Sequence, residues 1–123
     1  MDHYATRYPT NVIDIAAFLV RLAGAHAASP LPPILHYSAA EPYTKYEICL
    51  ILAQLSQPKP LDHAHIIPDE AEPVIPLGGV GRPKDCRLSV SVIEKPVSEG
   101  GLGMDVLATG FREWWEEELS NSK

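Results

Sequence analysis

Five tyrosines, five histidines, two cysteines and an Arg-Pro step after a glycine run are the residues of this 123-residue chain whose types could do chemistry. A tyrosine can transfer protons when a lysine four residues later lowers its pKa. Here Tyr4, Tyr8, Tyr37, Tyr43 and Tyr46 are followed at that interval by Tyr8, Val12, Glu41, Glu47 and Leu50, so no such pair exists. His63-x-His65 would place two imidazoles on one face of a strand, half of a metal site. No cysteine or third histidine is near in sequence, and the pair reads as a surface pair without metal. There is no Gly-x-Ser-x-Gly elbow, Ser38 is tied to no particular histidine, and Cys49 lies in an apolar helical run where a thiol behaves as a small hydrophobe. The expected catalytic set is therefore empty, and so is the expected metal set.

Binding chemistry has one candidate. Arg82-Pro83 follows Gly78-Gly79-Val80-Gly81, and the arginine has the planar fork of donors that makes paired bonds to a phosphate or carboxylate. A structural salt bridge by Arg82 is the competing reading, in which Pro83 only stiffens the loop. The glycines themselves do not form a dinucleotide fingerprint, which needs Gly-x-Gly-x-x-Gly between strand and helix. Counting from Gly79 and Gly81 the third position is Lys84, and from Gly101 and Gly103 it is Val106. Trp114-Trp115 reads as one buried and one boundary aromatic rather than a ligand cage.

These residues need elements to hold them. Asn11 is a suitable N-cap, and Asp14 complements the dipole of a helix expected to run to about Ala23 and stop at Gly24. Val12, Ile15, Ala16, Leu19, Leu22 and Ala23 form one stripe, while Ile13, Ala17, Phe18 and Val20 make the other side apolar too, so this helix needs cover on more than one side. Ile34 to Ser38 is expected as a short strand, with His36 packed or at an edge. Thr44-Lys45-Tyr46-Glu47 is a capping box that starts a helix with Ile48, Ile51, Leu52 and Leu55 on one face, ending before Pro58. Residues 57 to 87 are expected as a proline-rich loop region with a strand at His65-Ile66-Ile67. Ser89 or Ser91 would cap a short helix containing Val92 and Ile93. A last helix is expected from about Val106 to Leu119, with fraying from Ser120 to Lys123.

Composition sets outer bounds. Of twelve prolines, seven fall from Pro42 to Pro83. A net charge of -6 argues against a phosphate-backbone partner, so no nucleic acid is expected. The acidic groups at Asp69, Glu70 and Glu72 and at Glu113 and Glu116 to Glu118 read as solvated faces. No apolar run is long enough to cross a membrane, since Val12 to Ala23 is cut by Asp14 and Arg21. The start lacks the pattern of a secretory signal, and two distant cysteines make no disulfide framework, so a reducing cytoplasmic setting is expected.

Three phrases in order carry a family resemblance: Arg7-Tyr8-Pro9-Thr10-Asn11-Val12-Ile13-Asp14-Ile15-Ala16; His36-Tyr37-Ser38-Ala39-Ala40-Glu41 followed by Thr44-Lys45-Tyr46-Glu47; and Arg82-Pro83-Lys84-Asp85-Cys86-Arg87-Leu88. From Arg7 to about Trp115 the chain resembles the C-terminal region of dTDP-4-dehydrorhamnose reductase-like extended short-chain dehydrogenase/reductase proteins. Within that group it is most similar to the regulatory beta subunits of methionine adenosyltransferase. The resemblance implies an α/β fold in which a doubly wound sheet binds NADP and a smaller C-terminal part covers the substrate cleft. It implies that residues 1 to 123 are part of that substrate domain, with three main helices, a few short strands, and most of the dinucleotide-binding sheet missing. No cofactor is expected on this chain, although NADP is implied for a full-length parent. The implied function is non-catalytic: a regulatory-subunit-like role in S-adenosylmethionine biosynthesis, with the catalytic subunit of methionine adenosyltransferase and the missing N-terminal dinucleotide-binding domain as partners. The C-terminal part of an NADPH-dependent dTDP-4-dehydrorhamnose reductase and a truncated product without independent function are the alternatives.

Overall fold

A computed structural model describes residues 1 to 121. Four α-helices follow in order: α1 (Val12–Ala25), α2 (Lys45–Leu55), the single turn α3 (Ser91–Glu94) and α4 (Phe111–Asn121), with a 3-10 turn at Val97–Glu99 between the last two. Asn11 caps α1 as expected, its side-chain oxygen accepting the Ile13 N–H at 2.9 Å. The helix does not stop at Gly24. It runs one residue further, because His26 closes it from outside: its N–H donates to the Leu22 carbonyl and its ring Nε2 donates to the Leu102 carbonyl at 2.9 Å. The capping box of α2 is present in both directions, with Glu47 N–H to Thr44 Oγ1 at 3.2 Å and Thr44 N–H to Glu47 Oε1 at 2.8 Å.

The core lies where α1 meets the last third of the chain. Phe18, Leu22, Ile93 and Leu102 are buried together, with Leu35, Tyr37, Val90, Met104 and Val106 packed around them. Phe18 stacks on Tyr37 with ring centroids 4.8 Å apart. The turn Gly100-Gly101 brings Leu102 back over α3: Gly100 adopts φ +83°, and a Cβ on Gly101 would collide with the Lys95 carbonyl. Leu102 and Met104 then donate to the carbonyls of Val92 and Ile93. This arm is irregular, and the last helix starts at Phe111 rather than near Val106.

The expected strands are not formed as such. Ile34 to Ser38 keeps its alternation, with Leu35 and Tyr37 inward and His36 exposed, but it joins no ladder among the described residues. A strand needs a neighbour to take its backbone groups, and here the Thr10 hydroxyl takes the N–H of Ala39 instead. His63 and His65 lie in a turn closed by Ile66 N–H to the His63 carbonyl, so they share no strand face. Pairing is limited to isolated bridges, Asp2 with Asp69, Thr6 with Asp85 and Arg7 with Tyr43. All three are made by the N-terminal segment, which ties the proline-rich region and the start of α2 together. Neither Ser89 nor Ser91 is the cap of α3: the Ser89 hydroxyl accepts the Ser91 N–H at 3.4 Å, but the helix begins after Val90 with no side-chain cap.

Candidate functional site

Arg82 sits on the rim of a cleft of about 470 Å³ between the N-terminal segment, the start of α2 and the 69–74 loop. Arg7 and Lys45 also line it, and so do the carboxylates of Asp2, Asp69 and Glu72. Three cations face three carboxylates, so the cleft has no net attraction for an anion beyond what Arg82 itself offers. The Asp2 carboxyl is held below its ordinary 3.8, first by the Tyr4 N–H at 2.8 Å; burial opposes this, and the Ala5 N–H, Arg7 and Lys45 add to it. Arg82 makes no hydrogen bond or ion pair with the described residues and is exposed, so it is not the structural salt bridge that was the competing expectation. Pro83 lies outside the cleft wall; its carbonyl faces the thiol of Cys86 at 3.9 Å.

Neither thiol has a histidine partner among the described residues. A hydroxyl does lie beside an imidazole, with Thr44 Oγ1 2.8 Å from His3 Nδ1 and His3 Nε2 3.8 Å from Glu70, but that hydroxyl already caps α2 by accepting the Glu47 N–H. Cys49 and Cys86 are both free thiols, half-buried, and Cys86 Sγ accepts from Arg7 Nη1 at 3.7 Å. The described residues contain no group of three or more histidine, cysteine or carboxylate side chains placed to hold a metal. Trp114 and Trp115 are both half-buried, their rings edge to face at 4.9 Å, rather than one buried and one at the boundary.

The sequence makes α1 apolar on more than one side and assigns neither side to the core. Phe18 and Leu22 face the core. The two charged residues of the helix are also drawn toward the protein: Asp14 accepts from the Thr109 N–H and hydroxyl, both at 2.7 Å, and Arg21 donates to the Asp105 carbonyl at 2.9 Å. What faces outward is uncharged and apolar, with Val12 and Val20 each 74% exposed, Ile13 60% and Leu19 55%. Sequence reasoning left the inward side unassigned because it sorted residues by apolarity. The spacing of Asp14, Phe18, Arg21 and Leu22, all on one helical face, was the available signal.

Comparison with known proteins gives one consistent result. The chain is 35% identical over 95 residues to methionine adenosyltransferase 2 subunit beta of Rattus norvegicus, covering 76% of this chain. It is 34% identical over 96 residues to the Xenopus tropicalis protein of that name, and 33% identical over 113 residues to that of Danio rerio, which reaches 91% of this chain. The chain spans about a quarter to a third of the length of these curated relatives, 27% of the rat protein and 32% of the zebrafish protein. No protein-family model matches the chain. No solved structure matches it.

Proposed function

We propose that this chain acts as a regulatory-subunit-like protein of methionine adenosyltransferase, serving S-adenosylmethionine biosynthesis by docking rather than by bond chemistry. The observation that carries this reading is the 33% to 35% identity to subunit beta of methionine adenosyltransferase 2 across three-quarters or more of the chain. Two features are compatible with it: the absence of any Tyr-x-x-x-Lys pair in the sequence, and the uncharged outer face of α1, which leaves large apolar side chains in water. In this reading the fold is a substrate-domain portion of a dTDP-4-dehydrorhamnose reductase-like architecture, and the outer face of α1 is the surface such an architecture covers with its dinucleotide-binding sheet. Arg82, exposed and without a hydrogen bond or ion pair among the described residues, is a cation available to meet a partner carboxylate or phosphate.

Calorimetric titration of the chain into a methionine adenosyltransferase catalytic subunit tests the proposal. We expect saturable binding that Arg82→Ala weakens severalfold without changing the melting temperature, since an exposed side chain without partners contributes within about 0.5 kcal/mol to folding. No binding to the catalytic subunit overturns the docking reading. NADPH-dependent reduction of a dTDP-4-keto sugar by a protein containing this sequence would assign it to the reductase branch instead.

A further inference from the structure

We propose that the pocket between the starts of α1 and α4 is a binding site for a small uncharged aromatic molecule carrying a hydrogen-bond acceptor. The pocket has a volume of about 240 Å³, and its walls are the side chains of Pro9, Val12, Phe111, Trp114 and Trp115. A cavity of roughly 150 Å³ lined by apolar groups is enough to take benzene. This one therefore holds a single substituted ring between aromatic walls, where offset and edge contacts add to burial.

The charge of the ligand follows from what already occupies the two helix starts. Helix N-termini favour anions, but here carboxylates of the chain itself fill that role. Asp14 holds both the N–H and the hydroxyl of Thr109, Glu41 accepts the Phe111 N–H at 2.8 Å, and the Glu113 carboxylate lies against Gly110. A second negative charge entering beside them is repelled. A cation would have to leave water for a wall that is almost wholly apolar.

The acceptor follows from the donors left over. Thr10 Oγ1 donates to the Tyr8 carbonyl and accepts from Ala39 N–H, and Asn11 Oδ1 is held by the Ile13 N–H. The side-chain NH₂ of Asn11 and the indole N–H groups of Trp114 and Trp115 make no hydrogen bond with the described residues. The unpaired side-chain groups on the lining residues are thus donors, and they favour a ligand that brings an oxygen or nitrogen acceptor. A bound ring would bridge α1 to α4, so its occupancy would fix the last helix against the first.

The probes are benzamide, its isosteric anion benzoate, and cyclohexanecarboxamide, which keeps the amide but loses the aromatic face. The chain's two tryptophans both line the pocket, so their indole N–H resonances in ¹⁵N-labelled full-length protein report it directly. Benzamide is expected to shift both indole signals saturably and to raise the melting temperature. Benzoate and cyclohexanecarboxamide are each expected to bind at least about tenfold more weakly, the size of effect produced by desolvating a charge or losing ring contacts. Val12→Asp places a carboxylate on the lip at the first residue of α1, where the helix dipole tolerates it. It should abolish the shift with the melting temperature of the unliganded protein retained, and Val20→Asp, the same change at an exposed position of α1 outside the pocket, should bind as the parent does. Indole signals that do not saturate with benzamide, equal binding of benzoate, or an unaltered response in a folded Val12→Asp protein would each overturn the proposal. So would indole shifts that grow with protein concentration before any probe is added, which would mean that a second copy fills the pocket.

Discussion

Tyr37 shows how one side chain can serve the core and strain it. Its ring stacks on Phe18, yet its hydroxyl is buried without a hydrogen-bond partner among the described residues. Burial raises its pKa above the ordinary 10, the charge of Asp14 adds to this, and Arg21 opposes it. A folded-state pKa above the unfolded value means a stabilising contribution that is complete below pH 10 and is lost as pH rises from 10 through the raised value. Tyr37→Phe removes the orphan hydroxyl and keeps the stacked ring. Urea melts should therefore show it neutral to about 1 kcal/mol more stable at pH 7, with a flatter loss of stability above pH 10. A fall of more than about 1 kcal/mol at pH 7 would mean that the hydroxyl has a partner in solution.

Among the elements, α2 is the most locally determined and α1 the least. The Thr44 hydroxyl accepts from Glu47 and also lies 2.8 Å from His3 Nδ1, so it joins the helix start to the N-terminal segment. Thr44→Ala should cost about 1 kcal/mol, the usual size of a lost N-cap, measured by chemical denaturation. Thr44→Ser, which keeps the oxygen, should recover most of that. The start of α4 was not legible in the same way. Val106 to Phe111 has helical apolarity, but Asp14 and Glu41 reach across the fold to hold Thr109 and Phe111, and these distant bonds decide where the helix begins.

At the scale of the whole molecule, the N-terminal segment is the tie between otherwise irregular parts. Thr6 donates to the Lys84 carbonyl and accepts from Cys86, Arg7 and Tyr43 exchange both backbone bonds, and His3 donates to Asp69. Between these ties the loop from about Glu72 to Arg82 stands away from the core, with Val74, Leu77 and Val80 almost fully exposed. Limited proteolysis should cut first within this loop. The two fragments should stay together under native conditions, held by the Thr6 bonds to the second fragment and by the packing of α1 on Ile93 and Leu102. First cleavage in α1 or α2 would contradict this order of local stability.

The proline spacing, the Thr44 box, the Asn11 cap and the Leu35-His36-Tyr37 alternation were all readable, because each is a short-range rule satisfied within a few residues. The lack of a Tyr-x-x-x-Lys pair was readable for the same reason, whereas the spacing around Arg82 left anion binding and a structural salt bridge both open. Which face of α1 turns inward was not readable from apolarity, since an almost wholly apolar helix shows no hydrophobic preference between its sides and only the shared face of Asp14, Phe18, Arg21 and Leu22 hinted at it. Contacts 84 and 95 residues apart settle it, from Arg21 to Asp105 and from Asp14 to Thr109. The same long-range bonds bring the start of α4 beside the start of α1 and so create the aromatic pocket. A pocket built by two helices far apart in sequence leaves no trace in the spacing of either; only the tertiary fold makes its walls neighbours.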